Sequence, residues 1–177
     1  MRIDMIAMLK TKEEFFMAYK PCFRDMLFDE ESLLIYGLRN THHDAYEITN
    51  FLLDEGLSPK VKTKDGQTTL HLLFGRCDHD LEATIALTKR LLEGGADVNA
   101  LDRNNESALV WLIHMGYTDE ELTPLYDLWF QYPQKCLSTK SAWNITPIEL
   151  AEKVPYRAKL LNRLKGCERT HRDGSLC

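Results

Sequence analysis

The feature that most constrains this chain is repetition at a fixed spacing of 39 residues. Thr68-Thr69-Leu70 recurs as Ser107-Ala108-Leu109 and again as Thr146-Pro147-Ile148, each step covering 39 positions. Leu52-Leu53-Asp54-Glu55-Gly56 precedes Leu91-Leu92-Glu93-Gly94-Gly95 by the same interval. Coincident offsets in separate parts of a unit mark an internal repeat, and units of this length stack on their neighbours instead of closing round one cleft. An extended binding surface is therefore expected before a catalytic pocket.

Local signals fill in the unit. Thr11-Lys12-Glu13-Glu14 has the capping-box spacing and leads into an apolar run. Lys20-Pro21 predicts a stop, because the proline ring disfavours helix in the residue before it. Asp29 or Ser32 can cap a short helix through Leu33-Leu34-Ile35-Tyr36, and a further helix runs from about His43 to Leu53, ending at Gly56. Residues 57–66 are polar and turn-prone, and Asp65-Gly66 supplies the positive φ of a tight turn. Asn104-Asn105 and Trp143-Asn144 occupy the equivalent places, asparagine being the next-best residue for that backbone.

Residues 65–102, with Asp65-Gly66, Thr68-Thr69-Leu70-His71, Leu91-Leu92 and Gly95-Ala96-Asp97-Val98-Asn99-Ala100, resemble an ankyrin repeat. Residues 105–110 and 144–151 match it in part, and residues 30–58 mainly at the Leu-Leu-x-x-Gly end. The resemblance covers about residues 30–165. It implies an all-α fold: an ankyrin-like α-solenoid of stacked helix–turn–helix repeats with short β-turn fingers. One domain over residues 1–166 is expected, with a helical N-terminal cap at 1–38, about four repeats from 30 to 165, and a flexible tail at 167–177. The period exceeds the usual ~33 residues. The extra residues fall in Arg76-Cys77-Asp78-His79-Asp80 and Gly116-Tyr117-Thr118-Asp119-Glu120, predicting a longer second helix or inter-helix loop. In the third unit Gln134-Lys135-Cys136-Leu137 replaces the Gly-Ala-Asp-Val segment, with Leu137 at the place of Val98. Residues 156–165 are amphipathic and suit a C-terminal cap with basic residues outward and leucines inward.

Charge and cysteine usage narrow the function. A net charge of −5 and a pI near 5.7 disfavour nucleic acid and anionic membranes. The apolar run from Ile3 to Leu9 is too short for a signal peptide, and no stretch reaches a bilayer-spanning length. Five scattered cysteines suit reduced thiols and a cytoplasmic location. There is no glycine-rich phosphate loop, nucleophile elbow or His-Glu-x-x-His. Cys77-Asp78-His79 and the Cys167, His171, Cys177 tail lack paired Cys-x-x-Cys spacing. No catalytic residue, metal or cofactor is expected. A metal-dependent hydrolase using these Cys and His residues is the competing class. His71 could act as a base, but the resemblance implies a scaffold role in which the Thr68 and His71 side chains tie the helix start to the neighbouring finger by hydrogen bonds. It also implies that Asn99 can be hydroxylated in animal cells, a decoration on the scaffold.

By the register of the resemblance, the ligand-facing positions are Lys64, Asp65 and Gln67, then Arg103, Asn104 and Glu106, then Ala142, Trp143 and Ile145. Arg76 and His114 are expected to line the same face from the first helices. Phe15, Phe16, Phe51, Phe74, Trp129 and Phe130 fall at core spacing. Trp143 stands within a finger: exposed, its indole makes a binding hot spot, and the alternative is that it folds back onto the neighbouring finger or is buried by the irregular third finger. The expected activity is rigid docking of a protein partner, with Trp143 and Arg103 as anchors and the free chain monomeric. The partner classes are a toxin neutralised by an inhibitor or immunity protein, or a host protein engaged by an effector or adaptor.

Overall fold

A computed structural model of the chain describes residues 1–172. They are predominantly helical and fall into two compact units, Met1–Asp97 and the unit that begins at Val98. No helix among the described residues is long and apolar enough to cross a membrane.

The first unit opens with α1 (Ile3–Leu9) and α2 (Lys12–Ala18). Thr11 begins α2 with both bonds of a capping box: its hydroxyl accepts from the Glu14 N–H, and the Glu14 carboxylate accepts from the Thr11 N–H. Pro21 stops the chain in a 3-10 turn, Pro21–Phe23. A small antiparallel hairpin follows, β1 (Leu27–Phe28) and β2 (Glu31–Ser32), which the sequence patterns did not announce. Its turn places Asp29 and Glu30 at φ 50° and 69°, a left-handed pair that Asn-Gly usually fills. Side chains anchor it from outside: Arg2 donates to Asp29 at 2.9 Å, and Arg39 donates to Glu31 at 2.8 Å.

Then come α3 (Leu33–Leu38), α4 (Ala45–Asp54), α5 (Thr69–Phe74) and α6 (Leu81–Glu93). Phe15, Leu33, Leu34, Ile48 and Leu52 form the centre of a fully buried core joining α2, α3 and α4. Phe16 departs from its expected core place. It lies against Phe51 with ring centroids 4.8 Å apart but stays 40% exposed, because Phe15, Phe16 and Met17 are consecutive and cannot all face one side of a helix. Helices α4 and α6 end alike. Gly56 and Gly95 take φ 88° and 92°, and their N–H groups donate to Leu53 O and Leu92 O. The next N–H groups, of Leu57 and Ala96, reach Leu52 O and Leu91 O, completing two Schellman turns.

The second unit contains α7 (Ala108–His114), α8 (Asp119–Trp129), α9 (Pro147–Glu152) and α10 (Ala158–Arg172). Thr118 and Glu121 form the capping box of α8, so the extra residues of the long repeat are used in a loop and a helix start. No glycine follows α8. The buried Gln134 takes over, accepting from Trp129 Nε1 at 2.7 Å and donating to Trp129 O at 3.2 Å and Tyr132 O at 2.7 Å. Leu137 is buried, as Val98 is.

Two expectations for the end of the chain are corrected. Arg157, expected to face outward, is fully buried: its guanidinium donates to Ile113 O and Tyr117 O at 2.8 Å each and to Met115 O. These are the carbonyls that α7 and the following loop leave without helical partners. Residues 167–172, assigned to the tail, continue α10, since the polar run through Gly166 contains no residue that must end a helix. The rest of the tail, with Cys177, lies outside the described residues.

Candidate partner-binding surface

The repeat is visible in its hydrogen bonds. The N–H of Thr63 donates to Gln67 O at 2.8 Å, that of Asp102 to Glu106 O at 3.0 Å, and that of Ser141 to Ile145 O at 3.0 Å. Within the same loops the N–H groups of Gly66, Asn105 and Asn144 donate to the carbonyls of Thr63, Asp102 and Ser141. Every donor and acceptor advances by 39 positions from one loop to the next. The third residue of each bond pair takes positive φ: 80° at Gly66, 57° at Asn105 and 59° at Asn144. Asparagine tolerates this left-handed backbone better than most residues with a Cβ. The helices after the loops start at Thr69, Ala108 and Pro147, keeping the same step.

In the first unit the finger carries Lys64 and Asp65 exposed at its tip, with Gln67 half-buried. Gln67 donates its N–H to the buried Thr63 hydroxyl at 3.1 Å. The Lys64 N–H donates to the Glu31 carboxylate at 3.1 Å, which fastens the finger to the hairpin. His71 is 2% exposed, and its Nδ1 lies 2.8 Å from Thr68 Oγ1 and accepts from the Thr68 N–H at 3.1 Å. That is a helix-start clamp, with the ring occupied by the fold.

Arg76 is not the exposed lining residue expected. Its side chain is 7% exposed and donates to Leu38 O at 2.8 Å, Asn40 O at 3.2 Å and Asp78 at 2.8 Å. It serves the end of α3 as Arg157 serves the end of α7. Burial alone would raise the Asp78 pKa, but the Arg76 bond, helped by His43 Nδ1 at 2.8 Å, outweighs it and holds the carboxyl below its usual value. The adjacent His79 is pushed down by burial. Among the described residues, no group of three or more His, Cys, Asp or Glu is arranged to hold a metal ion.

In the second unit the buried Asp102 carboxylate organises the finger, accepting from the N–H groups of Asn104 at 2.8 Å and Glu106 at 3.0 Å. Arg103 is exposed, while Asn104 and Glu106 are half-buried. Burial, and then the nearby Asp102 charge, raise the Glu106 pKa. The next finger docks directly on this one: the Ala142 N–H donates to Asn104 O at 2.7 Å. That bond brings the finger of Trp143 against the finger of Arg103. Trp143 is 75% exposed, its N–H turned back to the Ser141 hydroxyl at 3.3 Å. His114 is exposed at the last position of α7. Beneath the two fingers the enclosed space is only about 10 Å³, bounded by Leu101, Val110, Ile145 and Leu150. That holds one water at most. That space is too small to take in a ligand.

Asn99 is also committed locally. It donates to Pro133 O at 2.8 Å, and its side-chain oxygen accepts from the Lys135 N–H at 2.7 Å. The finger-to-finger bond could not be read from residue types, because it joins backbone atoms. The two carbonyl-binding arginines gave no local signal either: Arg76 follows α5 and Arg157 follows α9, yet they serve the ends of the earlier helices α3 and α7.

No protein-family model matches the chain. A curated protein of Rickettsia felis, named "Putative ankyrin repeat protein", is 31% identical over 91 residues. The match covers 45% of this chain and 39% of that protein, so the chain corresponds to well under half of its relative's length. Among solved structures, a functionally unknown protein from Leptotrichia buccalis C-1013-b is similar along nearly the whole chain. It has a TM-score of 0.81 at 27% identity, covering 96% of this chain and 94% of the other.

Proposed function

We propose that this chain is an ankyrin-like repeat array that acts without catalysis, binding a protein partner through its finger tips. The observation that carries the reading is Trp143: a large aromatic held 75% exposed on a finger whose backbone is bonded to its neighbour. Exposing an indole there does nothing for the fold, whereas a pre-ordered aromatic loses little entropy on binding and supplies much of an interface's energy. The 39-residue recurrence of the finger hydrogen bonds and the partial match to a relative named for ankyrin repeats support the scaffold half of the reading. Arg103, Asn104, Glu106 and His114 belong to the same binding surface, and Lys64, Asp65 and Gln67 form the corresponding tip in the first unit. Arg76 is left out, being consumed by the fold.

The test is capture of binding proteins from the native cell on immobilised wild-type chain and on the Trp143→Ala/Arg103→Ala variant. A protein retained by the first and lost from the second, with both chains folded, supports the reading. Partners retained equally remove these residues from the site. A one-to-one complex that protects cells from a toxin would mark an inhibitor or immunity protein; a host protein bound without inhibition would mark an adaptor or effector.

A further inference from the structure

Among the described residues eight large hydrophobic side chains are exposed, and six of them lie within residues 1–27: Met1, Leu9, Phe16, Met17, Met26 and Leu27. Met17 is 85% exposed and Met1 71%. Between α1 and α2 runs an open groove of about 310 Å³, lined by Met1, Ile6 and Ala18, with Met17 on its wall and Lys10 and Glu14 at its rim. Exposed apolar side chains along an open groove, here Met1 and Met17, mark a contact site.

Charge says what covers it. The whole chain carries −5. Residues 1–27 hold five basic and four acidic side chains, +1, which leaves −6 on the remainder. Two copies repel strongly through the rest of their surface and only weakly through this segment. Lys10 and Glu14 lie 3.2 Å apart on the groove rim, 41% and 46% exposed. A two-fold axis sets each residue of such a patch against its counterpart, so one copy's Lys10 can meet the other's Glu14 and the reverse. A patch edged by one charge of each sign is self-complementary. A surface so nearly neutral has little attraction for an anionic membrane.

We propose that the α1–α2 groove and the exposed methionines beside it form a homodimer interface, the groove of one copy taking Met17 of the other. This revises the monomer expected from the sequence and does not depend on the partner proposed for the fingers. Sedimentation equilibrium on the full chain tests it. Wild type is expected to dimerise reversibly with concentration, and Met17→Glu to weaken the dimer at least tenfold while leaving the helical spectrum unchanged. Lys10→Glu should weaken it as well, and Lys10→Glu/Glu14→Lys should restore it, because the exchanged pair is again self-complementary. A wild-type chain that stays monomeric up to ~1 mM overturns the proposal, as does a dimer indifferent to Met17→Glu. Failure of the double exchange to restore association also overturns it. Sedimentation of a monomeric chain with phosphatidylcholine vesicles would replace the second copy with a lipid surface and refute the dimer.

Discussion

Replacing Arg157 by methionine keeps much of the side chain's length and apolar stem while removing every donor. In the wild type that guanidinium serves the carbonyls of Ile113, Met115 and Tyr117, with Tyr156 O at 3.4 Å as a weaker fourth acceptor. Each buried carbonyl left without a partner costs about 1–3 kcal/mol. Relief of the cation's own desolvation offsets part of that loss. The net expectation is a destabilisation of about 3–5 kcal/mol, a large share of the roughly 5–15 kcal/mol that holds a typical domain folded. At about 2–4 °C per kcal/mol for a chain of this size, the melting temperature should fall by roughly 6–20 °C.

The location of the loss can be read separately. All three tryptophans, Trp111, Trp129 and Trp143, lie in the second unit, so tryptophan fluorescence reports that unit while far-ultraviolet dichroism reports both. Arg157→Met should move the fluorescence transition at least as far as the dichroism transition. Arg157→Lys, with one ammonium in place of the fork, should fall between. Arg163→Ala, which loses a partly exposed pair with Asp127 and its place over the Phe130 ring, should cost about 1 kcal/mol. A methionine variant within ~1 kcal/mol of wild type would mean that water satisfies those carbonyls, and the account of Arg157 as the clamp of α7 would fail.

Three further outcomes are expected. Gly95→Ala should lose about 1–2 kcal/mol in denaturant unfolding, because its φ of 92° is a backbone that a residue with a Cβ rarely adopts, whereas Gly116→Ala meets nothing within 4 Å and should be near neutral. His71→Ala should cost about 1–3 kcal/mol by releasing the Thr68 clamp, and it should leave any partner affinity of the folded chain unchanged. Stability should be flat near neutrality and fall on acidification in two stages. His79 is depressed by burial, so the unfolded chain takes up the proton first and stability declines as pH drops below the ordinary 6.5; His79→Asn should flatten that limb. The backbone bonds of Thr11, Thr118 and Thr146 hold Glu14, Glu121 and Glu149 below 4.5. Their stabilisation is complete above that value and is lost as pH falls through the folded-state values.

What the residues disclosed depended on whether the physics was local. The capping box at Thr11, the stop at Pro21, the glycine turns at Gly56 and Gly95 and the left-handed Asn105 and Asn144 each follow from one or two side chains and their own backbone. The 39-residue register carried over intact from letters to hydrogen bonds. The hairpin at residues 27–32 gave no such signal, because its Asp-Glu turn is held by Arg2 and Arg39 from elsewhere in the chain. Arg76 and Arg157 look like surface cations by type, and their burial depends on carbonyls 36 to 44 positions away. The finger position of Trp143 left open whether its indole stands out or folds back on the neighbouring finger, and the structure has it exposed. The exposed Met17 was hidden by the run Phe15-Phe16-Met17, which reads as core until helical geometry forces one of the three outward.

The most direct test of the binding account is hydrogen exchange of the wild-type chain, alone and saturated with a captured partner. Amides over residues 101–107 and 140–146, the adjoining fingers of Arg103 and Trp143, should slow at least tenfold on binding while α8 and α10 change little. Protection confined to α8 and α10, with the fingers exchanging as in the free chain, would contradict a partner site built on Trp143.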